Sequence, residues 1–142
     1  MLPKTEKREE AMRKRIVLAI PAILVVVAGT AFLAAAEDYG PLKVQQTAAG
    51  KVLADPNGMT LYTYDKDTPG KSACTGDCTE YWPPVKASAS DKPVGDLTLI
   101  TRDDGTKQWA DGSKPLYTYV KDKKPGDVTG DGANNVWHAV KE

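Results

Sequence analysis

Polar and apolar residues alternate over short stretches through most of this chain, which is the pattern of half-buried β-strands. The alternation is clear over residues 97–102, and it resumes over residues 106–110 and 115–120. Asp104-Gly105 lies between the first two stretches and supplies the positive φ that a hairpin turn needs. The pattern therefore predicts an all-β fold of short strands joined by tight turns.

One segment departs from this pattern. Residues 16–36 run for 21 positions without a charge, directly after the basic residues 13–15. A helix of this length spans about 30 Å, which is enough to cross a hydrocarbon core. We therefore predict an N-terminal hydrophobic helix. It is either a signal peptide cleaved after Ala36, or an uncleaved anchor in the membrane. In both cases the basic flank stays inside and the rest of the chain is exported.

The exported part contains an internal duplication. The two copies share Leu-Tyr-Thr-Tyr, Lys-Asp, Pro-Gly, Thr-Gly-Asp, a tryptophan and Val-Lys in the same order. The predicted organisation is a leader (1–36), a spacer (37–41), repeat 1 (42–86), a linker (87–96) and repeat 2 (97–142).

Each copy reads as a three-stranded meander, a long Pro/Gly loop and a short closing strand. One helical turn is predicted over residues 78–82. A single copy is too small to bury a comfortable core. We therefore expect residues 37–142 to form one globular domain, in which the copies pack as a pseudo-twofold sandwich or barrel of about eight strands.

Charge and composition exclude several functions. Residues 1–15 hold six basic and three acidic residues, whereas residues 37–142 hold 13 basic and 16 acidic ones. A mildly acidic exported part argues against a nucleic-acid partner. No serine lies in a nucleophile-elbow context and no general acid–base pair stands out, so the sequence predicts a protein that is not an enzyme.

The two cysteines of the chain, Cys74 and Cys78, occur only in repeat 1. In an oxidising compartment an even cysteine count favours a disulfide. The alternative is a thiol pair that carries copper or electrons, because soft sulfur ligands suit Cu(I). Met59 or His138 would then be a third ligand. Apart from copper in this alternative, we predict no cofactor.

The tyrosines of each copy lie two residues apart, so both side chains of a pair share one strand face. They form either an aromatic platform for a glycan, a haem or a partner chain, or the aromatic layer of a small core. An aspartate follows three residues later, where it is expected to accept loop amide hydrogens, with a calcium or catalytic role as the alternative. These residues are Tyr62, Tyr64 and Asp67 in repeat 1, and Tyr117, Tyr119 and Asp122 in repeat 2.

A second acidic pattern, Asp127-x-Thr129-x-Asp131-Gly132, has the spacing that begins a calcium loop. Its twelfth position is His138 rather than glutamate. We therefore expect a structural, turn-rich loop.

The motif and the phrases around it resemble a known family. Tyr62-x-Tyr64-x-x-Asp67 and Tyr117-x-Tyr119-x-x-Asp122 are similar to the Tyr-x-(Phe/Trp/Tyr)-x-x-Asp signature of bacterial secreted-repeat proteins, many of them predicted lipoproteins. The resemblance covers about residues 47–141. It implies an envelope-exposed β-repeat module without an assigned reaction. This chain lacks a lipid-accepting cysteine after the apolar run.

These observations together predict an exported, envelope-associated module that is non-catalytic and has a binding or structural role. Its expected partners are an envelope protein or the cell wall, and the membrane through residues 16–36 if the leader is not cleaved. It would lie on the periplasmic or extracellular face of the cytoplasmic membrane, or be secreted after cleavage. The alternative function is the extracytoplasmic copper or redox carrier centred on Cys74 and Cys78.

Overall fold

The computed structural model describes residues 21, 22, 29 and 37–142. Residues 37–142 belong to one compact unit. The predicted N-terminal helix, its attachment to a membrane and the cleavage site after Ala36 lie outside the described residues. Among the residues that are described, no helix has both the length and the apolar character needed to cross a membrane.

Short strands dominate the regular structure of residues 37–142, with one turn of α-helix and one 3-10 turn. In chain order the elements are β1 (Lys43–Thr47), β2 (Gly50–Ala54), β3 (Tyr62–Tyr64), α1 (Cys78–Tyr81), β4 (Lys86–Ala87), β5 (Leu97–Thr101), β6 (Lys107–Asp111), β7 (Lys114–Pro115), the 3-10 turn (Ala133–Asn135) and β8 (Trp137–Ala139). The prediction of a mostly β fold is confirmed, and α1 is the predicted helical turn.

The strands form three small antiparallel sheets. β1 pairs with β2, β3 pairs with β8, and β6 lies between β4 and β5 with β7 also on it. The prediction of a closed barrel is wrong, because closure requires each strand to be hydrogen-bonded on both sides. β1 and β5 each pair with one strand among the described residues, so the sheets end there.

The turns follow the local sequence chemistry. Gly105 has a φ of 84° between β5 and β6, and Oδ1 of Asp104 accepts a hydrogen bond from the Thr106 amide at 2.9 Å. Before β3, Oδ1 of Asp55 accepts the Met59 amide at 2.9 Å. In each turn the stabilising carboxylate belongs to the turn itself, so the change of chain direction depends only on neighbouring residues.

The closing segment of repeat 2 completes repeat 1. Backbone hydrogen bonds run from Leu61 N to Leu53 O at 3.0 Å, from Leu53 N to Val140 O at 2.9 Å, and from Val140 N to Leu61 O at 3.0 Å. Two segments of repeat 1, at Leu53 and Leu61, and the closing segment of repeat 2 therefore form a closed cycle of hydrogen bonds.

The same cycle occurs with the repeats exchanged. Leu116 N donates to Trp109 O at 3.0 Å, Trp109 N to Val85 O at 2.8 Å, and Val85 N to Leu116 O at 2.9 Å. Each meander is therefore closed by the final segment of the other copy. Unpaired buried amides are costly, and here each copy satisfies them with the closing segment of the other.

The main apolar core is shared equally between the repeats. Its eight buried residues form four pairs that are equivalent in the alignment of the copies, namely Leu42 with Leu97, Leu53 with Trp109, Leu61 with Leu116, and Val85 with Val140. Neither copy contains a complete core alone, so the duplicated unit is the smallest one that buries these side chains.

Candidate functional site

The first tyrosine of each motif bonds the aspartate of the other copy. The Tyr62 hydroxyl donates to Oδ2 of Asp122 at 2.6 Å, and the Tyr117 hydroxyl donates to Oδ2 of Asp67 at 2.7 Å. Both tyrosines are fully buried. Their backbones also exchange two hydrogen bonds, at 2.8 and 3.0 Å. The two copies of the motif therefore complete each other.

Burial keeps both phenols protonated. Loss of solvation raises the pKa of Tyr62 far above the usual 10.0, and its hydrogen bond to Asp122 raises it further. Loss of solvation likewise raises the pKa of Tyr117. Burial also raises the pKa of Asp67, opposed by an amide hydrogen bond and by the Tyr117 hydroxyl. The tyrosines act as buried donors rather than as bases.

Each motif aspartate also holds the loop that follows it. Oδ1 of Asp67 accepts the Ala73 amide at 2.6 Å, and Oδ1 of Asp122 accepts the Thr129 amide at 2.9 Å. One carboxylate oxygen therefore binds the loop of its own copy, while the other binds the tyrosine of the opposite copy. This arrangement fixes the two loops relative to the repeat interface.

The second tyrosines lie at the ends of a four-ring aromatic stack. Tyr64 stacks on Trp137 with ring centroids 4.2 Å apart, Trp137 stacks on Trp82 at 3.8 Å, and Trp82 stacks on Tyr119 at 4.0 Å. The two tryptophans occupy equivalent positions in the repeats. That equivalence is the sequence signal for the stack, and the Tyr-x-Tyr-x-x-Asp motif does not include it.

The buried tyrosines close the cluster from the side. Tyr62 contacts Trp82 edge to face at 5.3 Å, and Tyr117 contacts Trp137 in the same way at 5.2 Å. A Cβ atom on Gly130 would lie 2.7 Å from Trp82, and the Gly130 amide donates to the Tyr62 hydroxyl at 3.2 Å. Gly130, which lies in the Thr-Gly-Asp block shared by the repeats, is therefore a required small residue.

Cys74 and Cys78 form a disulfide beside this cluster. Cys74 is buried in the cluster, whereas Cys78 is half-buried at the start of α1. The Arg102 guanidinium donates to the Cys74 carbonyl at 2.7 Å and to the side chains of Ser72 and Gln108 at 3.0 and 2.8 Å. The pairing agrees with the disulfide prediction, and Arg102 ties its loop to repeat 2.

The other residues of the copper alternative have different neighbours. His138 Nε2 lies 2.8 Å from Oδ2 of Asp65 on the exposed side of β8, and Met59 follows the Asp55 turn. Within the described part of the chain, no group of three or more His, Cys, Asp or Glu side chains has a geometry suited to a metal ion.

The calcium-like segment is a structural loop. Oδ2 of Asp127 accepts the Lys123 amide at 2.8 Å. Oδ1 of Asp131 accepts the Ala139 amide at 3.0 Å, and its Oδ2 pairs with Lys141 at 3.1 Å. The carboxylates thus bind neighbouring parts of the chain rather than converging on one point.

A groove of about 380 Å³ runs along the exposed edge of the aromatic stack. Both repeats contribute to it, since all four stacked rings line it together with Cys78, Tyr81, Lys121 and Asn134. Tyr81 is 55% exposed, the highest value among the exposed large hydrophobic residues of the described chain. We call this feature the aromatic groove. No sequence signal marked Tyr81, because its equivalent in repeat 2 is Val136.

Three further cavities have a different character. One lies beside Arg102 and includes Asp103 and Asp104. A second lies next to Asp67, and a third is lined mainly by carboxylates near Glu142. None of the three contains a tryptophan. Among these cavities, the aromatic groove alone combines an exposed aromatic ring with residues held rigidly by the repeat interface.

Comparison with known proteins identifies the family. A family model described as a secreted repeat of unknown function, Lipoprotein_15, matches residues 43–86 and 98–141. No curated protein and no solved structure matches the chain. The two matched segments coincide with the two copies that complete each other in the fold. The chain therefore belongs to the Lipoprotein_15 family of secreted repeats, as the Tyr-x-Tyr-x-x-Asp motifs predicted.

Proposed function

We propose that this protein is a non-catalytic module that binds a cell-wall polymer in the aromatic groove. Membership in a secreted-repeat family supports an exported protein whose activity is unassigned. The binding role and the cell-wall partner are the proposal. The observation that carries it is the exposed Tyr81 ring beside a buried aromatic stack, in a groove to which both repeats contribute.

The position of Tyr81 favours binding over chance exposure. Its carbonyl accepts the Val120 amide at 3.0 Å, and it ends the helical turn that begins at the disulfide-bonded Cys78. The backbone is therefore fixed while the ring stays in solvent. A preorganised aromatic residue loses little conformational entropy when a ligand covers it.

The role of the motif supports a non-catalytic function. The hydroxyls of Tyr62 and Tyr117 and the carboxylates of Asp67 and Asp122 are engaged with one another and with loop amides. General acid–base catalysis requires a group that is free to exchange a proton with a substrate. The motif side chains instead stabilise the scaffold, and the binding role falls to residues around them.

The test is co-sedimentation of the full chain, in mild detergent, with purified cell-wall sacculi. We expect the wild type to sediment with the wall and Tyr81→Ala to bind at least about fivefold more weakly, as for an interface aromatic worth 1 kcal/mol or more. Val44→Ala is the control, because Val44 is 37% exposed on β1 and outside the groove. Equal binding by wild type and Tyr81→Ala would refute the proposal, as would a wild type that stays in the supernatant.

A further inference from the structure

We propose, on the basis of the cell-wall binding function above, that the aromatic groove recognises a carboxylate-bearing sugar unit of an acidic glycan. The first support is the charge of the groove. Residues 37–142 carry 16 acidic and 13 basic residues. The lining nevertheless contains a lysine, Lys121, and no aspartate or glutamate. In an acidic domain, this groove is a site where a negative ligand meets no carboxylate in the lining.

Lys121 is available to such a ligand. It is exposed at the groove, and the ion pairs found within residues 37–142 involve Lys124, His138 and Lys141 instead. An ammonium group without a carboxylate partner retains its three donors for a ligand. Asn134, also exposed in the lining, adds an amide with two further donors.

The aromatic stack presents a matching surface. Both faces of Trp82 and of Trp137 are covered by stacked neighbours at 3.8 to 4.2 Å. These rings therefore line the groove with their edges, and aromatic ring edges carry partial positive charge. Electronegative oxygens of a ligand are favoured there.

Tyr81 supplies the apolar contact. Its exposed ring offers a flat surface of the kind on which the C–H face of a pyranose ring packs, and its hydroxyl is both donor and acceptor. A flat apolar face, in the same groove as an ammonium group that has no carboxylate partner within residues 37–142, matches a uronic acid, which has a C–H face and a carboxylate on one ring. A neutral sugar would leave Lys121 without an ionic partner.

The discriminating experiment titrates the full chain with three oligosaccharides of equal length and follows tryptophan fluorescence. The ligands are an oligogalacturonate, its methyl ester and a neutral cello-oligosaccharide. We expect the acid to bind about twofold to fivefold more tightly than its ester, as for one solvent-exposed ion pair. This preference should shrink at high salt.

Two lysine variants locate the preference. Lys121→Ala should bind acid and ester equally. Lys66→Ala should keep the preference, because Lys66 is the exposed equivalent of Lys121 in repeat 1 and does not line the groove. The proposal is overturned if acid and ester bind the wild type equally, if only the neutral sugar binds, or if both variants lose the preference together.

The wall assay identifies the source of the acidic sugar. It also distinguishes failure of the acidic-sugar inference from failure of the proposed cell-wall binding. Mild acid treatment strips acidic polymers from sacculi, so loss of binding to stripped walls identifies a wall-linked source. If the chain still binds stripped walls and a soluble oligogalacturonate displaces it, the ligand is an acidic residue elsewhere in the wall. If the chain binds the wall through Tyr81 but ignores carboxylates, the acidic-sugar inference fails and cell-wall binding stands. If it binds neither wall nor sugars, both fail.

Discussion

The hydrogen bonds between the motif tyrosine of one copy and the motif aspartate of the other predict a measurable loss of stability when one of them is removed. Tyr62→Phe removes the hydroxyl that donates to Asp122 at 2.6 Å and accepts the Gly130 amide at 3.2 Å. It leaves a carboxylate oxygen and an amide without their partner at a fully buried site. A hydrogen bond to a charged group contributes about 1.5–3 kcal/mol. We therefore expect the free energy of unfolding to fall by about 3 kcal/mol.

The chain provides a matched control for the same substitution. Tyr64 belongs to the same motif but is half-buried, and it contributes its ring to the stack rather than a hydrogen bond of the kind that Tyr62 forms. Tyr64→Phe should therefore change the free energy of unfolding by less than about 0.5 kcal/mol. The assay is denaturant unfolding of the full chain, followed by near-UV circular dichroism.

Double-mutant cycles test whether the bond crosses between the repeats. Tyr62→Phe and Asp122→Ala should show a coupling energy above about 1 kcal/mol, since the two side chains are in contact. Tyr62→Phe and Asp67→Ala, taken from a single copy of the motif, should be additive within about 0.5 kcal/mol. Equal coupling in the two cycles, or equal losses for the Tyr62 and Tyr64 variants, would show the reasoning to be wrong.

Three further predictions follow from the same cluster. Gly130→Ala places a Cβ 2.7 Å from Trp82 and should lower the free energy of unfolding by about 1–3 kcal/mol; an unchanged denaturation midpoint contradicts this steric requirement. The Cys74–Cys78 disulfide closes a five-residue loop, so its reduction should lower the free energy of unfolding by about 2 kcal/mol in the chain-entropy model. The same reducing agent should leave unchanged the melting temperature of a variant with both cysteines replaced by serine. Burial raises the pKa of Tyr117 above 10.0, so its contribution to stability is complete below pH 10 and is lost as pH rises further. The free energy of unfolding, measured from pH 9 to 12, should therefore fall less steeply with pH for Tyr117→Phe than for the wild type. Parallel pH dependences of the two proteins would refute this.

Local features of the fold could be predicted because they depend on near neighbours in the chain. The Asp104-Gly105 turn, the helical turn at Cys78–Tyr81 and the disulfide to Cys74 all lie within a few residues. Which meander each closing strand pairs with could not be predicted, for the opposite reason. Val140 and Val85 each have an equivalent partner set in both repeats, and an alignment of two equivalent copies cannot distinguish pairing within a copy from pairing between copies.

The candidate site was predicted only in part for a related reason. The motif tyrosines and aspartates were identified, and so were the alternatives of core and platform. The geometry divides these roles, because Tyr62 and Tyr117 are buried core, whereas Tyr64 and Tyr119 end a stack that borders a groove. The equivalent of Tyr81 in repeat 2 is Val136, which is not aromatic, so the comparison of the two copies did not mark Tyr81.

The sequence by itself determined the duplication, the β-rich character, the turns and the family, since each follows from periodicity, local backbone preference or a motif. The tertiary structure decided which copy completes which. Tyr62 bonds Asp122 rather than Asp67, because the chain turns after Tyr64, where the Asp67 amide bonds Tyr64 O at 3.0 Å, and Asp67 is directed to the Tyr117 hydroxyl instead. The partner must then come from another segment, and packing alone selects it. The same packing brings Trp82 and Trp137 together and so creates the groove.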